Sequence, residues 1–225
     1  MARKVTNSGR AEVSDRLSPS RGEEIANSIS HGVGAVAALA AAPFLVIVAV
    51  RRGGPVAGAA AGVFAGSVVL LYLASTLYHA LPQNLAKRVF RIIDHSAIFL
   101  LIAGTYTPFT VGLLRGAWGW VLFAFVWTMA VVGMTFKAVA GIRYPRLSTI
   151  VYVAMGWVAL VAIRPLWLHL PAAGWVWLVG GGIAYTGGVA FYACDRRLPY
   201  GHFVWHLFVL VGTTCHFFAV LWYAV

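Results

Sequence analysis

Charged residues are scarce in this sequence, and acidic residues are the scarcest. Only 10% of the 225 residues are charged, and 17 Lys and Arg stand against six Asp and Glu. Soluble domains carry roughly 25% charged residues, so an ordinary water-soluble fold is excluded. The basic excess invites a nucleic-acid partner, but its position between apolar runs is better explained by membrane topology. We therefore expect no nucleic acid to bind.

Cysteine is nearly absent as well. Cys194 and Cys215 fall at different depths of two predicted helices, which argues against a disulfide, and the sequence has no CxxC pair. A zinc site built from cysteine pairs is thereby excluded. We expect both thiols to be small, buried, apolar side chains.

Long apolar runs make up most of the chain, of which 61% is hydrophobic. Roughly 20 apolar residues are needed for a helix to cross a bilayer core of about 30 Å. Runs of this kind lie near residues 29–50, 55–78, 95–114, 117–137, 148–168, 172–194 and 203–224. They predict an all-α fold, a seven-transmembrane helix bundle in the cell membrane, that occupies residues 23–225. Residues 1–22 are rich in Ser, Arg and Gly and predict a mobile cytoplasmic tail.

The basic residues orient this bundle. Thirteen of the 17 Lys and Arg fall on the side of the amino-terminal tail, and only Arg51, Arg52, Arg115 and Arg164 fall opposite. Because cytoplasmic loops are enriched in Lys and Arg, we expect a cytoplasmic amino terminus and an external carboxyl terminus. Tryptophans mark the outer interface in the same arrangement, at Trp118, Trp120, Trp167, Trp175, Trp177 and Trp222.

Polar residues within the apolar runs are few, and such residues are candidates for function. They are Ser75 and His79 at the end of the second predicted span, Asp94 and His95 at the start of the third, and His202 and His206 at the start of the seventh. His31 starts the first span. The predicted topology brings the ends of spans two, three and seven to the cytoplasmic face.

Helical spacing sharpens this grouping. Residues four apart share a helix face, so His202 and His206 point the same way, as do Ser75 and His79. Three histidines leave a fourth position of a tetrahedral zinc ion open for water, which is typical of catalytic sites. We expect His79, His202 and His206 to bind the metal, with Asp94 as proton acceptor or orienting group and Ser75 as hydrogen-bond donor.

Other interpretations of the same residues stay open. A histidine pair in a buried helix often only hydrogen-bonds a neighbouring helix, and Asp94 has Arg91 as an alternative partner. We expect His95 to face away from Asp94, and His169 to be solvated in an outer loop. His216 lies roughly 15 Å along the helix from His206, too far to share an ion.

Four stretches of the sequence together carry a family pattern. They are ExxNxxSH at Glu24, Asn27, Ser30 and His31, SxxxH at Ser75 and His79, the pattern Asp94, Ile98, Gly104 and Pro108, and HxxxH at His202 and His206. In these stretches the chain resembles the haemolysin III group of bacterial membrane proteins and, more distantly, the progestin and adipoQ receptors. The resemblance implies a seven-helix bundle with zinc near the cytoplasmic surface, held by His79, His202 and His206. It also implies that Asp94 and Ser75 surround the water on the metal.

Several functions fit this pattern. The leading hypothesis is a zinc-dependent hydrolase of a lipid amide or ester, comparable to the alkaline ceramidases of the wider superfamily. A membrane sensor or regulator with structural zinc is the alternative, and a haemolytic pore-former is a third. Transport has little support, because no second buried charge marks a path across the outer half. Gly58, Gly62 and Gly66 predict a close helix contact, either within the bundle or with a second copy.

Overall fold

The computed structural model describes residues 19–114, 116–195 and 197–225, and within these ranges the chain is helical and contains no strand. Residues 1–18 of the predicted tail lie outside the described residues. The first helix begins at Arg21, two residues before the predicted start of the domain. Ser20 caps it, because its Oγ accepts a hydrogen bond from Glu23 N (3.2 Å) while the Glu23 carboxylate accepts one from Ser20 N (2.7 Å).

Seven α-helices follow one another within the described residues. They are α1 (Arg21–Ala80), α2 (Leu85–Pro108), α3 (Gly116–Ala140), α4 (Pro145–Trp157), α5 (Ile163–His169), α6 (Ala172–Ala193) and α7 (Gly201–Ala219). A π-helical turn extends α2 over Phe109–Leu113 and another extends α7 over Val220–Ala224, while a 3₁₀ segment, Val158–Ala162, joins α4 to α5. Six of the helical stretches so described are long and apolar enough to cross a membrane.

The longest helix, α1, is interrupted at Gly54, whose φ of 77° and ψ of −171° are not helical. This position separates a first arm, 21–53, from a second arm, 55–80, and it lies between the predicted spans 29–50 and 55–78. The arms fold back on each other, since Ser28 Oγ donates a hydrogen bond to the Thr76 carbonyl at 3.2 Å. Only glycine adopts this backbone conformation without strain, which explains the residue at the turn.

Helix α2 begins ten residues before the predicted span 95–114. Hydropathy excluded this stretch because it carries Lys87 and Arg91, but Asn84 caps a helix there by accepting a hydrogen bond from Lys87 N at 2.9 Å. Asp94 and His95 therefore lie in the third turn of α2 instead of opening it. His31 likewise lies well inside α1, because that helix begins earlier in the chain, at Arg21. His31 therefore does not start the helix.

Close helix approach depends on glycine at several contacts. Gly104 of α2 lies against Ser67 of α1, and Gly133 of α3 lies against the ring of Phe99 in α2, so that an added Cβ would collide in both places. Gly58 similarly faces Val50 in the other arm of α1. Part of the predicted glycine ridge is thus used within the chain, and contact with a second copy stays a prediction.

The cysteines differ from each other. Cys194 and Cys215 are both free, in agreement with the absence of a disulfide. Cys215 is partly buried, whereas Cys194 is exposed, so the expected burial of Cys194 is wrong. The reason is that α6 ends at Ala193, which places Cys194 on the turn beyond the helix.

Candidate metal centre

Three histidines meet where the second arm of α1 ends and α7 begins. His79 is in the last turn of α1, and His202 and His206 are on one face of the first two turns of α7. The His79 ring centroid is 5.2 Å from each of the other two, which are themselves 4.8 Å apart. One ligand atom from each lies within 4.8 Å of the others, so the structure brings the three predicted ligands together.

A carboxylate orients the first of these rings. His79 Nδ1 donates a hydrogen bond to Glu24 Oε2 at 2.7 Å, and Lys87 Nζ lies 3.0 Å from Glu24 Oε1. Lys87 also donates to the Leu81 carbonyl at 3.2 Å. A histidine whose Nδ1 is bonded to a carboxylate presents a basic, fixed Nε2, which is the usual arrangement around zinc.

The two rings of α7 have comparable partners. His206 Nδ1 lies 3.2 Å from the Asn27 carbonyl and 3.0 Å from Ser30 Oγ, which itself donates to that carbonyl at 2.8 Å. His202 Nδ1 lies 3.4 Å from Asp195 Oδ2. In each ring the Nδ1 therefore has an acceptor, which leaves the opposite nitrogen for another ligand.

These residues fit a metal ion. His79 Nε2 is buried and has no hydrogen-bond partner among the described residues, although a buried polar atom normally has one. Neutral imidazole nitrogen is a preferred ligand of zinc, and the shared use of Nδ1 for hydrogen bonds fixes the tautomer needed for binding. An ion between the three rings would satisfy the orphaned nitrogen.

Ser75 and Asp94 are both buried beside this group. Ser75 is one turn before His79, is 0% exposed, and its Oγ has no partner among the described residues. Asp94 lies within electrostatic range of the His79 and His31 rings. Its Oδ2 is 3.4 Å from His95 Nδ1, so the expectation that His95 faces away is wrong. Within the described residues Asp94 forms no ion pair with Arg91.

The first turns of α1 supply residues that the sequence analysis did not place at the site. Glu24, Asn27 and Ser30 hydrogen-bond the rings of His79 and His206, and the His31 ring is stacked on His206 with centroids 3.6 Å apart. The spacing of residues 24, 27 and 31 marks one face of a helix and could have indicated this role. It was missed because the first helix was predicted to begin only at residue 29.

The chain is similar in sequence to several known proteins. A family profile described as "Haemolysin-III related" matches residues 20–217. The chain belongs to the haemolysin III family. It is 46% identical to "Hemolysin-3" of Bacillus cereus over 201 residues, covering 89% of this chain and 91% of the relative. It is 44% identical to "Hemolysin-3 homolog" of Bacillus subtilis over 203 residues, covering 90% and 95%.

A weaker similarity reaches beyond bacteria. The human "Monocyte to macrophage differentiation factor" is 25% identical over 169 residues, which cover 71% of this chain and 68% of that protein. This agrees with the resemblance to the progestin and adipoQ receptors. No solved structure matches the chain significantly. With six long apolar helical stretches among its described residues, this haemolysin III family member is a multi-pass protein of the cell membrane.

The remaining histidines of this haemolysin III family member stand apart from the centre. His216 is buried, with its Nδ1 bonded to the Gly212 carbonyl at 2.8 Å, and His169 is exposed at the end of α5. Neither belongs to the ligand group found among the described residues, as the sequence predicts for both.

An apolar cavity of about 180 Å³ lies between α2 and the later helices. Its wall is mostly hydrocarbon and aromatic, and includes Tyr106, Tyr152 and Trp157. Leu71, one turn before Ser75, also lines the cavity. So does Trp205, the residue before His206. The cavity thus extends from the level of the histidines into the apolar part of the bundle.

Proposed function

We propose that this protein is a zinc-dependent hydrolase that cleaves an amide or ester bond of a membrane lipid at the cytoplasmic side. One observation carries the proposal: three histidines with bonded Nδ1 atoms converge beside Ser75 and Asp94, both buried. A site that only joined helices would not require a buried hydroxyl without a partner next to its ligands.

The proposal includes seven membrane crossings. Each arm of α1 exceeds the roughly 20 residues that a crossing needs, so the break at Gly54 divides α1 into two spans. Five further stretches complete the seven. The distribution of Lys and Arg then places the amino terminus and the histidines inside, and the carboxyl terminus outside.

His79, His202 and His206 would hold the zinc ion. When bound in such a site, zinc polarises a carbonyl group and makes water a stronger nucleophile at neutral pH. Glu24, Asn27 and Asp195 keep the three rings in position through their Nδ1 atoms.

The other buried side chains have separate tasks. The Asp94 carboxylate takes up a proton from the attacking water and returns it to the leaving group. Ser75 Oγ donates a hydrogen bond to the substrate, since it has no protein acceptor among the described residues. Cleavage of an amide or ester also requires that the lipid carbonyl reach these groups from the headgroup region.

The apolar cavity favours a lipid as the substrate. Its wall is aliphatic and aromatic, and it includes Leu71, one turn from Ser75, and Trp205, the residue before His206. A lipid hydrocarbon chain placed there would keep the apolar surroundings that it has in the bilayer, while its carbonyl would lie towards Ser75, one turn from Leu71.

The direct test is to incubate the purified protein with labelled ceramides and phospholipids, with and without a chelator. We expect release of fatty acid that stops when the metal is removed and returns with zinc. If no lipid is cleaved while zinc is demonstrably bound, the hydrolase proposal is wrong.

The alternative is a metal that clamps α1 to α7, because His79 and His202 are remote in sequence and metal binding contributes to folding free energy. Under this alternative, Ser75→Ala and Asp94→Asn leave the phenotype of the cell unchanged while His206→Ala abolishes it. The hydrolase proposal predicts that all three variants lose activity and that the first two keep their zinc.

A further inference from the structure

A buried lysine lies outside the metal centre. Lys137, in the last turn of α3, is 0% exposed, and its Nζ has no hydrogen-bond partner among the described residues. An unpaired charge buried in a protein is strongly destabilising. An anion beside the Lys137 amino group would offset this cost.

The neighbouring charge has the same sign. Arg91 of α2 is close enough to Lys137 for the two cations to repel, and its Nε is buried and without a partner among the described residues. Contact between Gly133 and Phe99, where α2 and α3 run antiparallel, places Lys137 about level with His95 and one turn from Arg91. Lys137 Nζ and Arg91 Nε, each buried and without a hydrogen-bond partner among the described residues, thus lie near each other on neighbouring helices.

The carboxylates that the structure describes have other partners. Glu23 bonds Ser20 and Tyr200, and Glu24 bonds His79 and Lys87. Asp195 lies beside His202, as Asp94 does beside His95. None of these four acidic side chains forms an ion pair with Lys137 or Arg91.

We infer that Lys137 and Arg91 form a binding site for a phosphate group. Arginine forms paired hydrogen bonds with phosphate oxygens, and lysine adds a compact positive charge. Basic pockets between transmembrane helices at the cytoplasmic side bind the headgroups of anionic lipids. The phosphate belongs either to an anionic lipid of the inner leaflet or to a soluble phosphate from the cytoplasm.

Native mass spectrometry of the full-length protein in detergent tests this site. The protein is titrated with phosphatidylglycerol and, separately, with phosphatidylcholine that carries the same acyl chains. We expect preference for phosphatidylglycerol, and a loss of about fivefold in its affinity in both Lys137→Met and Arg91→Gln, since one basic side chain near an anionic surface contributes about 1 kcal/mol. Lys137→Arg retains the charge and should bind normally.

Arg88→Gln is the matched control, because Arg88 is on the same helix but exposed, and it should change the affinity less than about twofold. Excess inorganic phosphate distinguishes the two sources. If phosphatidylglycerol stays bound in excess phosphate, the occupant is a lipid headgroup. If inorganic phosphate displaces the lipid, and raises the Tm of the wild type but not that of Lys137→Met, the occupant is soluble phosphate. The inference is overturned if Lys137→Met and Arg91→Gln, shown to be folded by their Tm, bind both ligands like the wild type.

Discussion

Glu24 Oε2 and His79 Nδ1 are 2.7 Å apart, although the two residues are 55 positions apart in α1. The contact joins the start of the first arm to the end of the second. Lys87, at the start of α2, lies 3.0 Å from the other oxygen of the same carboxylate. One side chain thereby ties three helix ends together around a ring that we expect to bind metal.

Replacement of Glu24 by Gln tests this relationship. The amide retains the shape of the carboxylate but lacks its charge, so the His79 ring becomes a poorer ligand. Loss of such a partner typically lowers metal affinity 10- to 100-fold. Competition with a chromogenic zinc chelator measures the change in Kd.

Glu23→Gln provides the control, because Glu23 is the adjacent residue but hydrogen-bonds Ser20 and Tyr200 instead of a predicted ligand. It should leave the zinc Kd unchanged. Equal losses in the two variants would show that the effect comes from the amino-terminal turn of α1 and not from the carboxylate on His79.

His31 permits a second test, since its ring is stacked on His206 at 3.6 Å but it is outside the ligand group. His31→Phe retains an aromatic ring for the stack and should keep one zinc per chain. His206→Ala removes a ligand and should lose the zinc. Elemental analysis of both purified variants measures the number of zinc ions per chain. Loss of zinc in His31→Phe would instead show that His31 is a ligand.

Much of the site was predictable because helical spacing is regular. The positions of His79, His202 and His206 at helix ends follow from hydropathy, and their common face follows from a spacing of four. The helical fold follows from the long apolar runs, which have few other ways to satisfy their backbone hydrogen bonds in lipid.

Other features were not predictable from hydropathy, which responds to apolar side chains alone. The helix through Glu24 and Asn27 begins with polar residues, and the start of α2 contains Lys87 and Arg91, so both were placed outside the spans. Their helical structure depends on the caps at Ser20 and Asn84. The contact of His95 with Asp94 depends on side-chain rotamers, which spacing does not determine.

The packing of α1 on α2 predicts that substitutions at two glycines will differ greatly in their effect on stability. An added Cβ at Gly104 would collide with Ser67, whereas Gly66 has no atom within 4 Å of the corresponding position. Gly104→Val should therefore destabilise the fold by about 1–3 kcal/mol. Thermal melting in detergent should show a lower Tm for Gly104→Val and little change for Gly66→Val, and equal Tm values would contradict the close contact of Gly104 with Ser67.

A substitution in the wall of the apolar cavity should weaken substrate binding without changing metal binding. Gly182 lines the cavity, and nothing lies within 4 Å of its Cβ position. Gly182→Leu should lower kcat/KM for long-chain lipids about tenfold, which corresponds to about 1.4 kcal/mol, and leave the zinc content unchanged. Gly66→Leu is the control, since Gly66 is equally open but does not line the cavity. Normal activity of Gly182→Leu would show that the substrate does not bind in this cavity.

Cys194 offers a test of membrane orientation, because it is exposed on the turn after α6. The proposed topology places this turn in the cytoplasm, where most of the Lys and Arg lie. In a Cys215→Ala background, a maleimide that cannot cross membranes should label Cys194 in inverted vesicles and not in intact cells. Cys194→Ala in the same background shows the level of unspecific labelling. Labelling of Cys194 in intact cells would show that the bundle has the opposite orientation, with the three histidines at the outer surface.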